Sequence, residues 1–164
     1  HKMATRLSGG TLTVTITEAL TVTHSTSADN RSHAQSITKT FASIDNIDVR
    51  VLNLPNTNQV KVVDLVDNGS EAGAPGAFKR SAVEYIRITN LDDTNAVGVI
   101  LEDTGGDVAG ITVDPDASFI LTSTDIEANA GGTAVTARGG AIDEIFLRAD
   151  SANVQVEVLI ATTA

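Results

Sequence analysis

His24 and His33 bracket a polar stretch that also holds Ser25, Ser27, Asp29, Ser32 and Ser36. Imidazole, hydroxyl and carboxylate are the groups of a nucleophilic hydrolase, in which histidine takes the serine proton and the carboxylate orients the ring. The spacing does not carry that chemistry. No Gly-x-Ser-x-Gly elbow lifts a serine onto a strained turn, and no oxyanion loop is recognisable. Residues 25–36 therefore read as an exposed loop, and a hydrolase working through His24 and His33 stands as a second alternative. Carboxylates form the next set. Asp103 with Asp107, and Asp114 with Asp116, sit in turn-forming stretches, as does Asp92-Asp93. Ca²⁺ takes six to eight oxygen ligands, so Asp103, Asp107, Asp114 and Asp116 are candidate ligands. Their order does not follow the EF-hand loop, and aspartate also closes turns through its own backbone. A calcium- or glycan-binding adhesion module is the first alternative on this ground. Gly105-Gly106 and Gly131-Gly132 lack the Lys-Ser/Thr that completes a phosphate loop, and turn conformation accounts for them. The expectation is a protein that is not an enzyme, with no catalytic residue and no cofactor.

Composition narrows the partners. The formal net charge of −10 and a pI near 4.5 set the chain against nucleic acid and anionic membrane surfaces. Cysteine is absent, which removes disulfides, thiolate metal sites and a cysteine nucleophile together. Aromatic residues make up 3 %, with no Trp and one Tyr, too few rings to stack on sugars or bases. No apolar run approaches the roughly 20 residues that cross a bilayer. The basic residues are scattered, which suits salt bridges rather than a patch. His1 and Lys2 precede Met3 and read as an expression scar, leaving residues 3–164 as a single domain.

The elements behind these groups are strands. Thr11 to Thr17 alternate threonine with Leu12, Val14 and Ile16, a period of two that sets the aliphatics on a dry face and Thr11, Thr13, Thr15 and Thr17 on a wet one. Ala19, Leu20 and Val22 continue that strand or begin the next. Ile37 to Ile44 fits helix or strand, and the β-branched Thr38 and Thr40 favour strand. Ile47, Val49 and Val51 alternate with Asp48 and Arg50. Val60, Val62 and Leu65 follow, and residues 67–76 read as a long loop. Ile86 and Ile88 oppose Tyr85 and Arg87, and a turn over 90–95 brings back Val97, Val99 and Leu101 as a hairpin. Ile111 to Val113, Phe119 to Leu121, Ile142 to Leu147 and Val154 to Ile160 complete the set, with an Ala/Gly-rich stretch over 126–140. About nine or ten short strands, with turns every ~8–12 residues, predict an all-β, antiparallel β-sandwich of jelly-roll type.

Met3 to Leu20 (MATRLSGGTLTVTITEAL), Tyr85 to Asn95 (YIRITNLDDTN), Ala117-Ser118-Phe119, and the ending from Ala149-Asp150-Ser151 to Val156-Glu157-Val158 resemble small virion structural proteins of tailed phages, particularly marine and cyanobacterial ones. The resemblance is diffuse, is most specific at Tyr-Ile-Arg-Ile-Thr-Asn, and leaves residues 25–76 largely outside it. It implies a non-enzymatic β-sandwich building block of the virion, a capsid decoration (cement) or tail-associated protein. Partners would be other copies of the chain, with a trimer the expectation by analogy, and the major capsid or tail proteins. An edge strand as free of charge as Thr11–Thr17 is not protected against pairing with another chain. That places Thr11, Thr13, Thr15 and Thr17 at a subunit interface.

Overall fold

A computed structural model describes residues 9–22, 31–66, 77–103, 105–122 and 142–163. Among them the chain forms eleven strands, one 3-10 turn over Arg80–Ala82 and no α-helix. It is an all-β fold with antiparallel sheets, as the period-two alternation requires.

Two sheets make the body. Five strands lie in the order β5 (Ala77–Lys79), β4 (Val60–Val66), β10 (Ile142–Ala149), β7 (Val97–Asp103) and β8 (Val108–Val113). Four lie in the order β3 (Asn46–Leu54), β11 (Val154–Thr162), β6 (Val83–Asn90) and β9 (Ser118–Leu121). All pairs are antiparallel except the short parallel contact of β4 with β5. Between the sheets lies an aliphatic core with Ile86, Ile88, Val99, Ile145, Leu147, Val156 and Val158 all fully buried. With so few aromatic residues, stacked Val, Ile and Leu supply its volume, each worth ~1.5–3 kcal/mol on full burial.

The remaining two strands, β1 (Gly10–Val22) and β2 (Arg31–Ile44), pair only with each other. They form a long antiparallel ribbon whose base lies on the outer face of the four-stranded sheet. There Phe41 and Ile44, with Leu12 and Val14, pack on Tyr85, Ala161, Leu159 and Ile120. The Phe41 and Tyr85 rings meet tilted, with centroids 5.8 Å apart. Gly10 anchors the root: a Cβ there would lie 2.8 Å from the Ile44 carbonyl oxygen, so only glycine fits. Ser43, at φ 60°, and the single residue Asp45 then swing the chain from β2 into β3.

Three expectations are revised. The loop read over 25–36 is strand from Arg31 onward, because β1 runs on to Val22 and β2 pairs with it residue for residue. Cross-strand Thr and Ser contacts favour that pairing despite the polar composition. The hairpin read from Glu84–Thr89 and Val97–Leu101 does not form, since β6 and β7 belong to opposite sheets. Asn90 explains the crossing. It is 1 % exposed, and its amide nitrogen donates to the carbonyls of Asn95, Val113 and Asp114 while its oxygen accepts from the Asp92 amide. That network holds the 91–96 loop across the end of the sandwich. Finally, the dry face of the first strand is dry only at its base: Leu12 and Val14 are half-buried, whereas Ile16 is exposed. The stretches 67–76 and 123–141, which include Gly131 and Gly132, lie outside the described residues.

Candidate functional site

The alternation of β1 and β2 gives the ribbon two unlike faces. Directly opposed residues share a face, so Leu12 with Phe41, Val14 with Lys39, Ile16 with Ile37 and Glu18 with Gln35 form one. Thr13 with Thr40, Thr15 with Thr38, Thr17 with Ser36 and Ala19 with Ala34 form the other. On this second face the hydroxyls of Thr15 and Thr38 meet at 3.1 Å, and those of Thr17 and Ser36 at 3.5 Å. The result is an uncharged double row of hydroxyls with every member exposed. The first face is apolar at its base, where Lys39 extends its ammonium over the Phe41 ring at 4.7 Å. Beyond Val14 that face leaves the body, and from Thr15 to Ala19 and Ala34 to Thr40 the ribbon is exposed on both sides. Thr11, Thr13, Thr15 and Thr17 therefore sit together on one exposed strand.

The four-stranded sheet adds an apolar stripe beside the ribbon. On β3 the alternation runs opposite to ordinary sandwich patterning. Asp48 and Arg50 turn inward, paired at 2.7 Å, and the Arg50 guanidinium donates to the Val62 carbonyl at 2.8 Å across the gap between the sheets. Ile47, Val49 and Val51 turn outward. Together with Ile16 and Ile37, these five side chains are 40–59 % exposed. Inward-pointing charges on an edge strand block its extension by another strand, so β3 offers its face rather than its edge. β1 carries no charge from Gly10 to Thr17, and its edge is unguarded.

The outward face of the five-stranded sheet is different in kind. Lys61 bridges Asp64 at 2.7 Å and Glu144 at 2.8 Å, and these two carboxylates hold its ammonium well above the usual lysine pKa. On the same body Arg80 pairs with Asp143, and on the four-stranded sheet Arg87 pairs with Glu157, so the scattered cations do enter ion pairs. A groove of about 400 Å³ over Gly98, Ile100, Thr112 and Arg148 sets one guanidinium near Asp150. It brings no nucleophile and base together.

Charge follows the same division. Of 21 acidic residues only Glu18 and Asp29 fall between residues 10 and 44, and Arg31 and Lys39 balance them. The other 19, against seven basic residues, fall in 45–164. The arm is neutral and the body strongly acidic.

The carboxylates proposed for calcium do not gather into one site. Asp103 and Asp107 precede β8, whereas Asp114 and Asp116 follow it, about 20 Å away at a strand's rise per residue. The Asp103 carboxylate accepts from the amides of Gly105 and Asp107 and so closes its own turn, in which Gly106 takes φ 83°. Asp92 does the same for Thr94 and Asn95, and the Asn95 and Thr94 amides lower its pKa. Among the described residues no group of three or more His, Asp or Glu side chains converges. Of the hydrolase set, His24, Ser25, Ser27 and Asp29 lie outside the described residues. The backbone of His33 pairs with Leu20, and Ser36 is committed to the hydroxyl row.

Sequence reasoning found the threonine strand but not the outward stripe of β3 or the buried Asn90. Two inward charges flanked by aliphatics were a usable signal for the first. No family model matches the chain, and no curated protein matches it.

Proposed function

We propose that the protein is a non-enzymatic structural subunit that assembles with copies of itself through the β1–β2 arm, on the capsid or tail of a phage particle. The observation that carries the self-assembly is an ordered ribbon with solvent on both sides. From Thr15–Thr38 to Ala19–Ala34 it runs for five exposed cross-strand pairs, about 17 Å. Fixing those roughly ten residues costs on the order of 1–2 kcal/mol each. Ladder bonds worth about 1 kcal/mol net apiece do not recover that, and a two-stranded hairpin is marginal alone in water. A subunit contact supplies the missing burial, with Thr11, Thr13, Thr15 and Thr17 along it. The virion setting and the trimeric expectation rest on the resemblance of Met3–Leu20 and Tyr85–Asn95 to virion structural proteins, and the major capsid or a tail protein is then the second partner.

Light scattering on the intact chain tests the assembly: an oligomer is expected, and a monomer at all concentrations refutes it. Thr13→Lys with Thr15→Lys adds charge to the open edge of β1. This double variant should keep its β fold, read by circular dichroism, yet lose assembly and the concentration dependence of its melting temperature. Binding to purified capsids or tails, imaged at low resolution, tests the virion setting.

A further inference from the structure

We infer that the exposed Ile16–Ile37 pair of the arm seats on the outward face of β3 in a second copy of this chain, over Ile47, Val49 and Val51. The inference rests on the arm being the assembly element and adds the surface that receives it. The chain's own arm shows the mode of contact. At its base, Leu12, Val14 and Phe41 lie on this same sheet face against Tyr85, Ala161 and Leu159. Further along, the same ribbon face leaves the body with Ile16 and Ile37 uncovered, while Ile47, Val49 and Val51 stay uncovered on the body. Each copy thus holds a donor it does not use and a seat it does not fill.

Charge selects a second copy and this orientation. Two bodies as acidic as 45–164 repel each other, and the neutral arm is the element that can bridge them. The stripe itself is uncharged as well, since Asp48 and Arg50 point inward as an ion pair and the Glu157 opposite Val51 is paired with Arg87. Area favours reciprocity. The five exposed pairs from Thr15–Thr38 to Ala19–Ala34 span about 17 Å, so one seated face about 10 Å wide covers roughly 170 Å². That is well short of the ~800 Å² per partner of a stable contact, so each copy must both give an arm and receive one for the contacts to add. Two copies that exchange arms form a two-fold pair, and copies that pass the arm onward form a ring or a filament according to whether the rotation closes.

The absence of cysteine makes the test clean. Ile16→Cys and Val49→Cys are made as separate chains, co-expressed and oxidised. The disulfide between positions 16 and 49 of different chains should exceed the 16–16 and 49–49 products by about tenfold. Val51→Cys, two residues along the same face, replaces Val49→Cys should that variant fail to assemble. An oligomer linked mainly 16–16, or not linked at all, overturns the seat on β3 and leaves arm-mediated assembly standing. A monomeric wild-type chain overturns both.

Discussion

Replacing Phe41 with alanine should release the arm without unfolding the body. Phe41 is 5 % exposed and is the largest side chain of the cluster that holds the arm down. Its removal deletes the Tyr85 ring contact and the surface under Lys39. A buried Phe→Ala change costs ~3–5 kcal/mol. The site lies under a ribbon that can settle into the gap, so the low end, about 3 kcal/mol, applies. That cost falls on docking of the arm rather than on the body, because Phe41, Ile44, Tyr85 and Ala161 form a cluster separate from the twenty buried residues between the sheets. At 1.4 kcal/mol per tenfold, the undocked population rises about a hundredfold. Native-state amide exchange at fixed protein concentration reads this directly. Amides of Thr13, Val14, Lys39 and Thr40 should exchange about a hundredfold faster, while those of Ile86, Val99, Ile145 and Val158 keep their protection. Equal acceleration in both sets would show arm and body to be one cooperative unit, and no acceleration in the arm would show that the Phe41 cluster does not hold it. Either result refutes the reasoning.

Asn90→Ala removes a buried amide that satisfies three carbonyls and one N–H. The loss should be about 3 kcal/mol, seen in a thermal melt as a drop of about 6–12 °C with unchanged oligomer size. Asp92 has a folded-state pKa below the ordinary aspartate value, caused first by the Asn95 amide and then by the Thr94 amide. The unfolded chain then binds the proton more readily, so this group adds stability above its unfolded pKa and loses it as pH falls through the folded one. Asp92→Asn should accordingly flatten the acid limb of a melting-temperature profile below about pH 4, and a limb of unchanged slope would contradict the assignment. Melts with Ca²⁺ and with chelator should coincide, because Asp103 and Asp107 are separated from Asp114 and Asp116 by the length of β8. An upward shift with Ca²⁺ would show a site on the native state.

Fold class was legible because alternation is local. Val154 to Ile160 declare a strand whatever surrounds them, and the core residues Ile86, Ile88, Val99 and Val158 are those the pattern marks. Sheet membership was not legible, because Val97–Leu101 show the same alternation whether they return beside β6 or cross to the other sheet. That choice is made by Asn90, one polar residue whose three carbonyl partners lie as far as 24 positions along the chain. The end of burial along β1 was equally hidden. Ile16 continues the pattern of Leu12 and Val14 without a break, and only the position where the ribbon leaves the sheet beneath it separates half-buried from exposed. The four threonines were found as one face of a strand, but the matching hydroxyls of Thr38, Thr40 and Ser36 came from a stretch read partly as loop.

The two outward faces of the sandwich make opposite demands on their surroundings. On the five-stranded sheet, Lys61, Asp64 and Glu144 remain partly exposed in a shared ion-pair network. Surface pairs of this kind contribute ~0–1 kcal/mol and would lose hydration if a partner covered them. On the four-stranded sheet, Ile47, Val49 and Val51 gain from being covered at about 25 cal/mol per Å² of apolar surface. The arm emerges over that second face and carries no net charge. Under the proposed assembly through the arm, Ile47, Val49 and Val51 are the surface that gains from a contact, whereas the Lys61 network on the other sheet is better left in water.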